Sequence, residues 1–376
     1  MYKHYKYDLT STFYLLSAEF KGKCLQMKNV DIYEVIGAGH YASVFRGTAL
    51  LQSQTDSAHR KSSTVVQNMT RPEQPCALKV AHPTPKSILN TLTEAKMLSE
   101  IQHENIVEFY GLAESNLVPV IVLEYQNGRS LLDYFCKFNQ LDVFDPNGES
   151  IMTLFIKDLL HVLMSVAEAV RYLHSLEPRR LHRDIAARNV LLHFQNTTQS
   201  DHMHKARVKL TDFSISISKY EHAYALDDRD MPVAWLPPEV LKLQRPVQNG
   251  RHNWGVYTSA GDVWEFGVLV FECLYIGRRK PHENCVCMRS EIYRQITLTP
   301  HRGLPLPDQC SPMDCPNEIK TIVKQCLELE ASRRPDFEVI VEQLKHLYTN
   351  QILIDSIFFS QQILRDPSRY AFDNYT

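Results

Sequence analysis

The chain has 376 residues, 44% hydrophobic and 22% charged, with a formal net charge of -2. That length suits two lobes or domains plus tails, and a near-neutral chain without blocks of like charge gives no electrostatic footprint for nucleic acid. Nine cysteines, an odd number scattered from Cys24 to Cys326, point to a reducing cytoplasmic setting rather than a disulfide framework.

Residues 1–29 read as a tyrosine-rich, basic N-terminal extension, with apolar bursts such as Phe13 to Leu16 too short for a signal peptide. Val30 to Ile36 predicts a strand, Gly37-Ala38-Gly39 a turn, and Val44-Phe45 the start of a second strand. Residues 51–75 are rich in Ser, Thr, Gln and Pro, so they read as a surface insertion in the hairpin. Cys76 to Ala81 predicts a strand. Lys86 to Gln102 predicts a helix with Ile88, Leu92, Ala95, Leu98 and Ile101 on one face. Strands follow at Ile106 to Tyr110 and Val118 to Glu124, and past Asn127-Gly128 the pattern turns helical. Helices are expected at Leu131 to Phe138, Met152 to Leu176, Ala260 to Tyr275, Glu291 to Ile296, Asn317 to Leu327 and Phe337 to Tyr348. The second of these carries an apolar face of Leu159, Val162, Val166, Val170 and Leu173. The longest apolar stretch, Val263 to Ile276, contains Glu265 and Glu272 and is too short to span a bilayer, so it reads as a buried helix and not a membrane anchor. Residues 349–376 form a C-terminal tail.

Two close cysteine pairs, Cys285 with Cys287 and Cys310 with Cys315, lack the CxxC spacing, and no zinc is expected there. The sequons at Asn68 and Asn196 are expected to be unused.

Chemistry concentrates elsewhere. The glycine-rich turn Ile36-Gly37-Ala38-Gly39-His40-Tyr41-Ala42-Ser43-Val44 would let backbone N–H groups close over nucleotide phosphates. Strand alternation puts Lys79 and Ala77 on one face, and an inward lysine needs an anion; Glu94, on the following helix, is the obvious partner. Each element alone also has an ordinary reading, as a hairpin turn, a solvated edge lysine or a surface glutamate. The stretch Leu181-His182-Arg183-Asp184-Ile185-Ala186-Ala187-Arg188-Asn189, followed by Thr211-Asp212-Phe213, sets a base, two metal-binding side chains and a substrate-steering arginine in order.

With Pro237-Pro238-Glu239 in the same order, these elements resemble the signature set of eukaryotic protein kinases over roughly residues 30–348. The resemblance implies an α+β bilobal fold, with a small antiparallel-sheet lobe at 30–125 and a larger helical lobe at 126–348. It implies Asp184 as catalytic base, Asn189 and Asp212 as magnesium ligands, and Lys79, paired to Glu94, as the holder of the ATP α and β phosphates. Val44, Ala77 and Leu191 would sandwich the adenine, Glu124-Tyr125 would open the hinge that hydrogen-bonds it, and Leu123 would guard the back pocket. Leu98, Phe213 and His182 would stack as an apolar column. Glu239 would pair with Arg334, and Asp262 would brace the catalytic loop.

Ala186-Ala187-Arg188 before the loop asparagine, with Met231 to Glu239 bearing Pro232 and Trp235, resembles the tyrosine kinase family. This implies protein substrates bearing tyrosine, with Arg188 on the phenol or γ-phosphate, and transient self-association for autophosphorylation. A phosphate on Tyr220 or Tyr224 would be held by Arg183. The sequence departs from the pattern at Ser214, Ala42 and Ala234. Serine resists backbone angles that glycine permits, so modified or reduced activity is expected. Two other readings therefore stand beside the enzyme: a nucleotide-binding kinase-like scaffold, and a dual-specificity kinase.

Overall fold

The computed structural model describes residues 20, 23–51, 73–115, 118–140, 155–195, 205–218, 232–242, 257–275, 277, 279–282, 289–299, 304 and 317–350. The insertion at 52–72, Tyr220, Tyr224, Met231, the four paired cysteines, both sequons and the tail beyond 350 lie outside the described residues. The chain divides into two compact units. The first holds residues through Asn127 with the segment Leu210–Ile217; the second holds Gly128–Lys209 and residues from Met231 onward.

The first unit is built on a five-stranded antiparallel sheet. Its strands β1 (Val30–Ala38), β2 (Ala42–Leu50), β3 (Glu73–Ala81), β4 (Phe109–Ser115) and β5 (Val118–Glu124) lie in the order β1-β2-β3-β5-β4. Period-two alternation decides which side chains face the core. Cys76 and Leu78 pack with Val30, Ala49, Ala113, Val120 and Val122, so Ala77 and Lys79 point to the opposite face. β3 begins at Glu73, not at Cys76. β2 extends the pairing without a break from Ala42↔Ala81 to Leu50↔Glu73. Pro75 is tolerated because it lies beyond the last β5 partner, Cys76↔Glu124. The predicted strand at Ile106 to Tyr110 also shifts. Ile106 and Val107 are buried, but Val107 donates its N–H to Leu210 O at 3.0 Å, and the strand proper starts at Phe109.

One helix, α1 (Pro85–Glu100), packs in this unit. Thr84 caps it by accepting the Ser87 N–H at 3.2 Å, and Pro85 occupies a first-turn position where its missing N–H does no harm. All five apolar residues of the predicted face are buried.

Beyond Asn127 the chain is mainly helical: α2 (Leu131–Gln140), α3 (Phe155–Ser175), α4 (Pro238–Leu241), α5 (Ser259–Leu274), α6 (Arg289–Leu298), α7 (Asn317–Cys326) and α8 (337–350). Short strands β6 (Arg180–Leu181), β7 (Val190–His193), β8 (Arg207–Leu210) and β9 (Ile217–Ser218) interrupt it, and β7 pairs with β8. The predicted face of α3 is buried throughout. Every residue of α5 from Gly261 to Leu274 is buried, including Asp262, Glu265 and Glu272, as befits a helix that is apolar all round. Among the described residues no helix is long and apolar enough to cross a membrane. The sheet-built part and the helical part together make the α+β class expected of the sequence.

Candidate functional site

In the first unit, Lys79 is the centre of a buried charge cluster. Its ammonium lies 2.8 and 2.7 Å from the two Glu94 oxygens and 3.0 Å from Asp212 Oδ1, with 14% of the side chain exposed. β3 supplies the lysine, α1 the glutamate, and the segment after β8 the aspartate. Burial opposes the charged lysine, yet the Asp212 and Glu94 carboxylates outweigh it and raise the Lys79 pKa. Burial would raise the Asp212 carboxyl as well, but Lys79 and Ser214 hold it well below the usual carboxylate range. For Glu94 burial wins over the lysine, and its pKa rises. Glu94 also accepts the Phe213 N–H at 3.3 Å, so one carboxylate ties the lysine to the Asp-Phe backbone. Asp212 itself holds φ 64, a left-handed conformation that costs a non-glycine residue about 1 kcal/mol or more. Ser214 meets this turn with its N–H on Asp212 Oδ1 at 3.3 Å. Leu98 and Phe213 are both buried in this unit.

Beside the cluster, the β1–β2 hairpin carries the glycine-rich sequence. Gly39 N–H donates to Ala42 O at 2.8 Å and closes the turn over His40 and Tyr41. A Cβ added at Gly37 or Gly39 would meet nothing nearer than 3.5 Å, so packing within the protein does not demand glycine at either place. The open space suits a ligand approaching the backbone. Val44 pairs with Lys79 across the ladder, and Ala77 pairs with Leu123. These partners therefore share one sheet face. Glu124 is buried and accepts the Glu108 N–H at 2.8 Å.

In the second unit the loop at 182–189 is almost wholly buried, with His182, Arg183, Asp184 and Asn189 each at most 9% exposed. Asp184 accepts from Asn189 Nδ2 at 2.7 Å and pairs with Arg188. Asn189 spends its nitrogen on Asp184, which leaves its side-chain carbonyl oxygen as the atom with capacity for a cation. Arg188 lies over the Trp235 ring at 4.5 Å, so the predicted steering arginine and the predicted platform are in contact. Glu239 and Arg334 form a two-pronged ion pair with both distances 2.7 Å. Leu191 is half-buried and bridges to Ser130.

Helix α5 holds the loop from below. Asp262 accepts the N–H groups of His182 and Arg183 at 3.0 and 2.9 Å, the Tyr257 hydroxyl at 2.9 Å and a bond from the His174 ring at 2.8 Å. Burial pushes its pKa up, but His174 and the Arg183 N–H reverse this and leave it low. Glu265 accepts the Ile185 N–H at 2.9 Å; Glu272 accepts the Ala187 N–H at 2.9 Å and the Trp235 indole at 3.2 Å. Three carboxyls of one helix thus satisfy four amides of the loop. Sequence reasoning assigned only Asp262 and treated Glu265 and Glu272 as interruptions of an apolar run. The signal was present in them, since charged residues inside a fully apolar helix are costly unless something accepts them.

Residues 30–344 match the family described as protein tyrosine and serine/threonine kinase. Protein nipi-4 of Caenorhabditis elegans is 30% identical over 268 residues, covering 69% of this chain and 59% of that protein. Ephrin type-A receptor 5 of Rattus norvegicus is 26% identical over 332 residues, 88% of this chain and 27% of the receptor. Tyrosine-protein kinase Fer of Mus musculus is 26% identical over 325 residues, 85% of this chain and 31% of Fer. The chain spans less than two thirds of the length of each of these relatives. With the match running from the first strand of the sheet into the last helix, the chain belongs to the protein tyrosine and serine/threonine kinase family.

Proposed function

We propose that this chain is an ATP-dependent protein tyrosine kinase, moving the γ-phosphoryl group of ATP to the phenol oxygen of tyrosine in protein substrates. The observation that carries this reading is the Lys79 ammonium fixed between Glu94 and Asp212. A buried cation tied to a helix glutamate in this way is the phosphate anchor that phosphoryl transfer needs. Magnesium, when bound, neutralises the charge that develops on the phosphate oxygens, and Asn189 and Asp212 offer the oxygen donors that a hard cation prefers. Lys79 binds the α and β phosphates, and the Ile36–Val44 hairpin closes its N–H groups over them. Val44, Ala77 and Leu191 cover the adenine, while the hinge at Glu124 hydrogen-bonds it. Asp184 takes the phenol proton as the phenol oxygen bonds to the γ-phosphorus. The bond to the β,γ-bridging oxygen breaks, and its electron pair leaves with ADP.

Arg188 stacked on Trp235 supports tyrosine as the acceptor, because that pair offers a flat cationic platform to a long aromatic side chain. Relatives named as tyrosine kinases support the same choice. The cysteine usage supports a cytoplasmic setting, and transient self-association would serve autophosphorylation.

The test is phosphate transfer from labelled ATP to a tyrosine copolymer, with wild type compared to Asp184→Asn and products resolved by amino acid. Loss of the base should lower the rate about 10²- to 10⁴-fold, with phosphotyrosine as the wild-type product. Nucleotide binding without transfer to any acceptor would replace the enzyme by a scaffold; phosphoserine among the products would replace tyrosine specificity by dual specificity.

A further inference from the structure

In the helical unit, one carboxyl of α5 closes a ring of contacts around Trp235. Glu272, 4% exposed, uses a single oxygen, Oε2, to accept the Ala187 N–H at 2.9 Å and the Trp235 indole N–H at 3.2 Å. Ala187 opens a short 3-10 turn, Ala187–Asn189, closed by the Asn189 N–H on Ala186 O at 2.9 Å. The same turn presents Arg188, whose guanidinium lies over the Trp235 ring at 4.5 Å and pairs with Asp184. The path therefore runs from carboxyl to indole, from indole to guanidinium, along one backbone step to Ala187, and from the Ala187 amide back to the carboxyl.

Stacking of a cation on an aromatic face is weakly directional, so Arg188 alone would let the ring turn in its own plane. A hydrogen bond weakens steeply with angle, and the Glu272 oxygen removes that freedom by fixing where the N–H edge of the indole lies. The backbone at Trp235 is held as well, by its N–H on Pro232 O at 2.8 Å. Burial raises the Glu272 pKa, while the Ala187 N–H, the Trp235 indole and Arg188 oppose the rise. The accepting oxygen serves in either protonation state, because a neutral carboxyl keeps its carbonyl oxygen. Tyrosine carries its hydroxyl at the far end of a flat ring, so where that ring rests decides whether the phenol oxygen arrives at Asp184.

We propose that Glu272 is a positioning residue for the tyrosine acceptor: its one oxygen ties the Trp235 platform to the turn that carries Arg188, and so fixes where a phenol ring is received relative to Asp184. The inference rests on the tyrosine kinase reading above and adds to it a residue outside the motifs that carry that reading.

The decisive experiment measures initial rates of the full chain on a tyrosine peptide, with peptide and ATP varied in turn. A platform contact is held both before and during transfer, so its loss is read in the peptide KM. Trp235→Phe keeps a ring beneath Arg188 and deletes only the N–H. It should raise the peptide KM about fivefold, the scale of one hydrogen bond, with KM for ATP within about twofold of wild type. Glu272→Leu should raise the peptide KM at least as much, and Glu272→Gln, which keeps an acceptor oxygen, should recover most of that loss. Adding Trp235→Phe to Glu272→Leu should change the peptide KM by less than about twofold, since both remove the same bond. A merely structural role would lower Tm without this split between peptide and ATP. Thermal melting reports which variants fold, and if Glu272→Leu does not, Trp235→Phe and Glu272→Gln decide. A folded Trp235→Phe protein with unchanged peptide KM overturns the inference and leaves the kinase reading standing, as does a KM for ATP that rises in step with that for peptide. A wild type that transfers no phosphate to tyrosine overturns the tyrosine kinase reading and this inference together.

Discussion

Lys79 owes its state to its neighbours. With only 14% of its side chain exposed it is held as a cation by carboxylates from a helix and from a return segment, so three stretches of chain must agree before the site exists. His282 is the opposite case, a titratable group that burial holds neutral. It is 4% exposed, and burial lowers its pKa to about 4, with Gln295 favouring the charged form. Its folded pKa lies below the unfolded value of about 6.5, so its contribution to stability is complete above that pH and is lost as pH falls towards 4. Urea unfolding at pH 7 and pH 4.5 should show wild type losing about 2 kcal/mol more than His282→Gln over that interval. Equal losses would show that the ring is hydrated in the folded protein.

At the scale of elements, α5 does the most. It is packed on all sides, it presents three carboxyls to the loop, and α7 lies against it. The contact with α7 is close enough to matter: a Cβ on Gly267 would lie 2.9 Å from Cys326 Cβ and 3.0 Å from Leu327. Replacing glycine by alanine in a helix normally gains about 1 kcal/mol, but overpacking a filled core costs about 1–3 kcal/mol. Gly267→Ala should therefore lower stability by about 1 kcal/mol in chemical denaturation; a stabilised variant would mean that the two helices slide apart without cost. The elements differ in how well the sequence announced them. The face of α1 and the extent of β5 follow from local periodicity and were legible. The true start of β3 was not, because Glu73 to Pro75 become strand only through their partners Thr48 to Leu50 across the ladder. β4 shifted for a similar reason, since Val107 and Asn105 on either side of Ile106 spend their hydrogen bonds on the distant Leu210. Among the candidate residues of the two units, Lys79, Glu94, Asp184, Asn189 and Asp212 stood out by type and spacing. Glu265 and Glu272 signalled only that an apolar helix holds acids in need of donors; the donors are backbone amides, which a sequence does not identify.

The whole molecule offers a ligand-linked readout of the same site. A nucleotide that binds only the folded chain stabilises it by about 2.7 kcal/mol at one hundred times its Kd, which is roughly a 3 °C rise in Tm for a chain of this size. Adding ADP with magnesium should produce that rise, and chelating the metal should remove most of it; an unchanged Tm at millimolar nucleotide would argue against the proposed ligand. The unbroken β2–β3 ladder has a separate consequence for the chain as a whole. Leu50 and Glu73 face each other as the last pair, so the polypeptide departs and returns at one point on the sheet rim. Doubling the intervening stretch adds only about 0.6 kcal/mol of closure entropy. New sequence can thus accumulate there, or be grafted there, while the strand that carries Lys79 keeps its place.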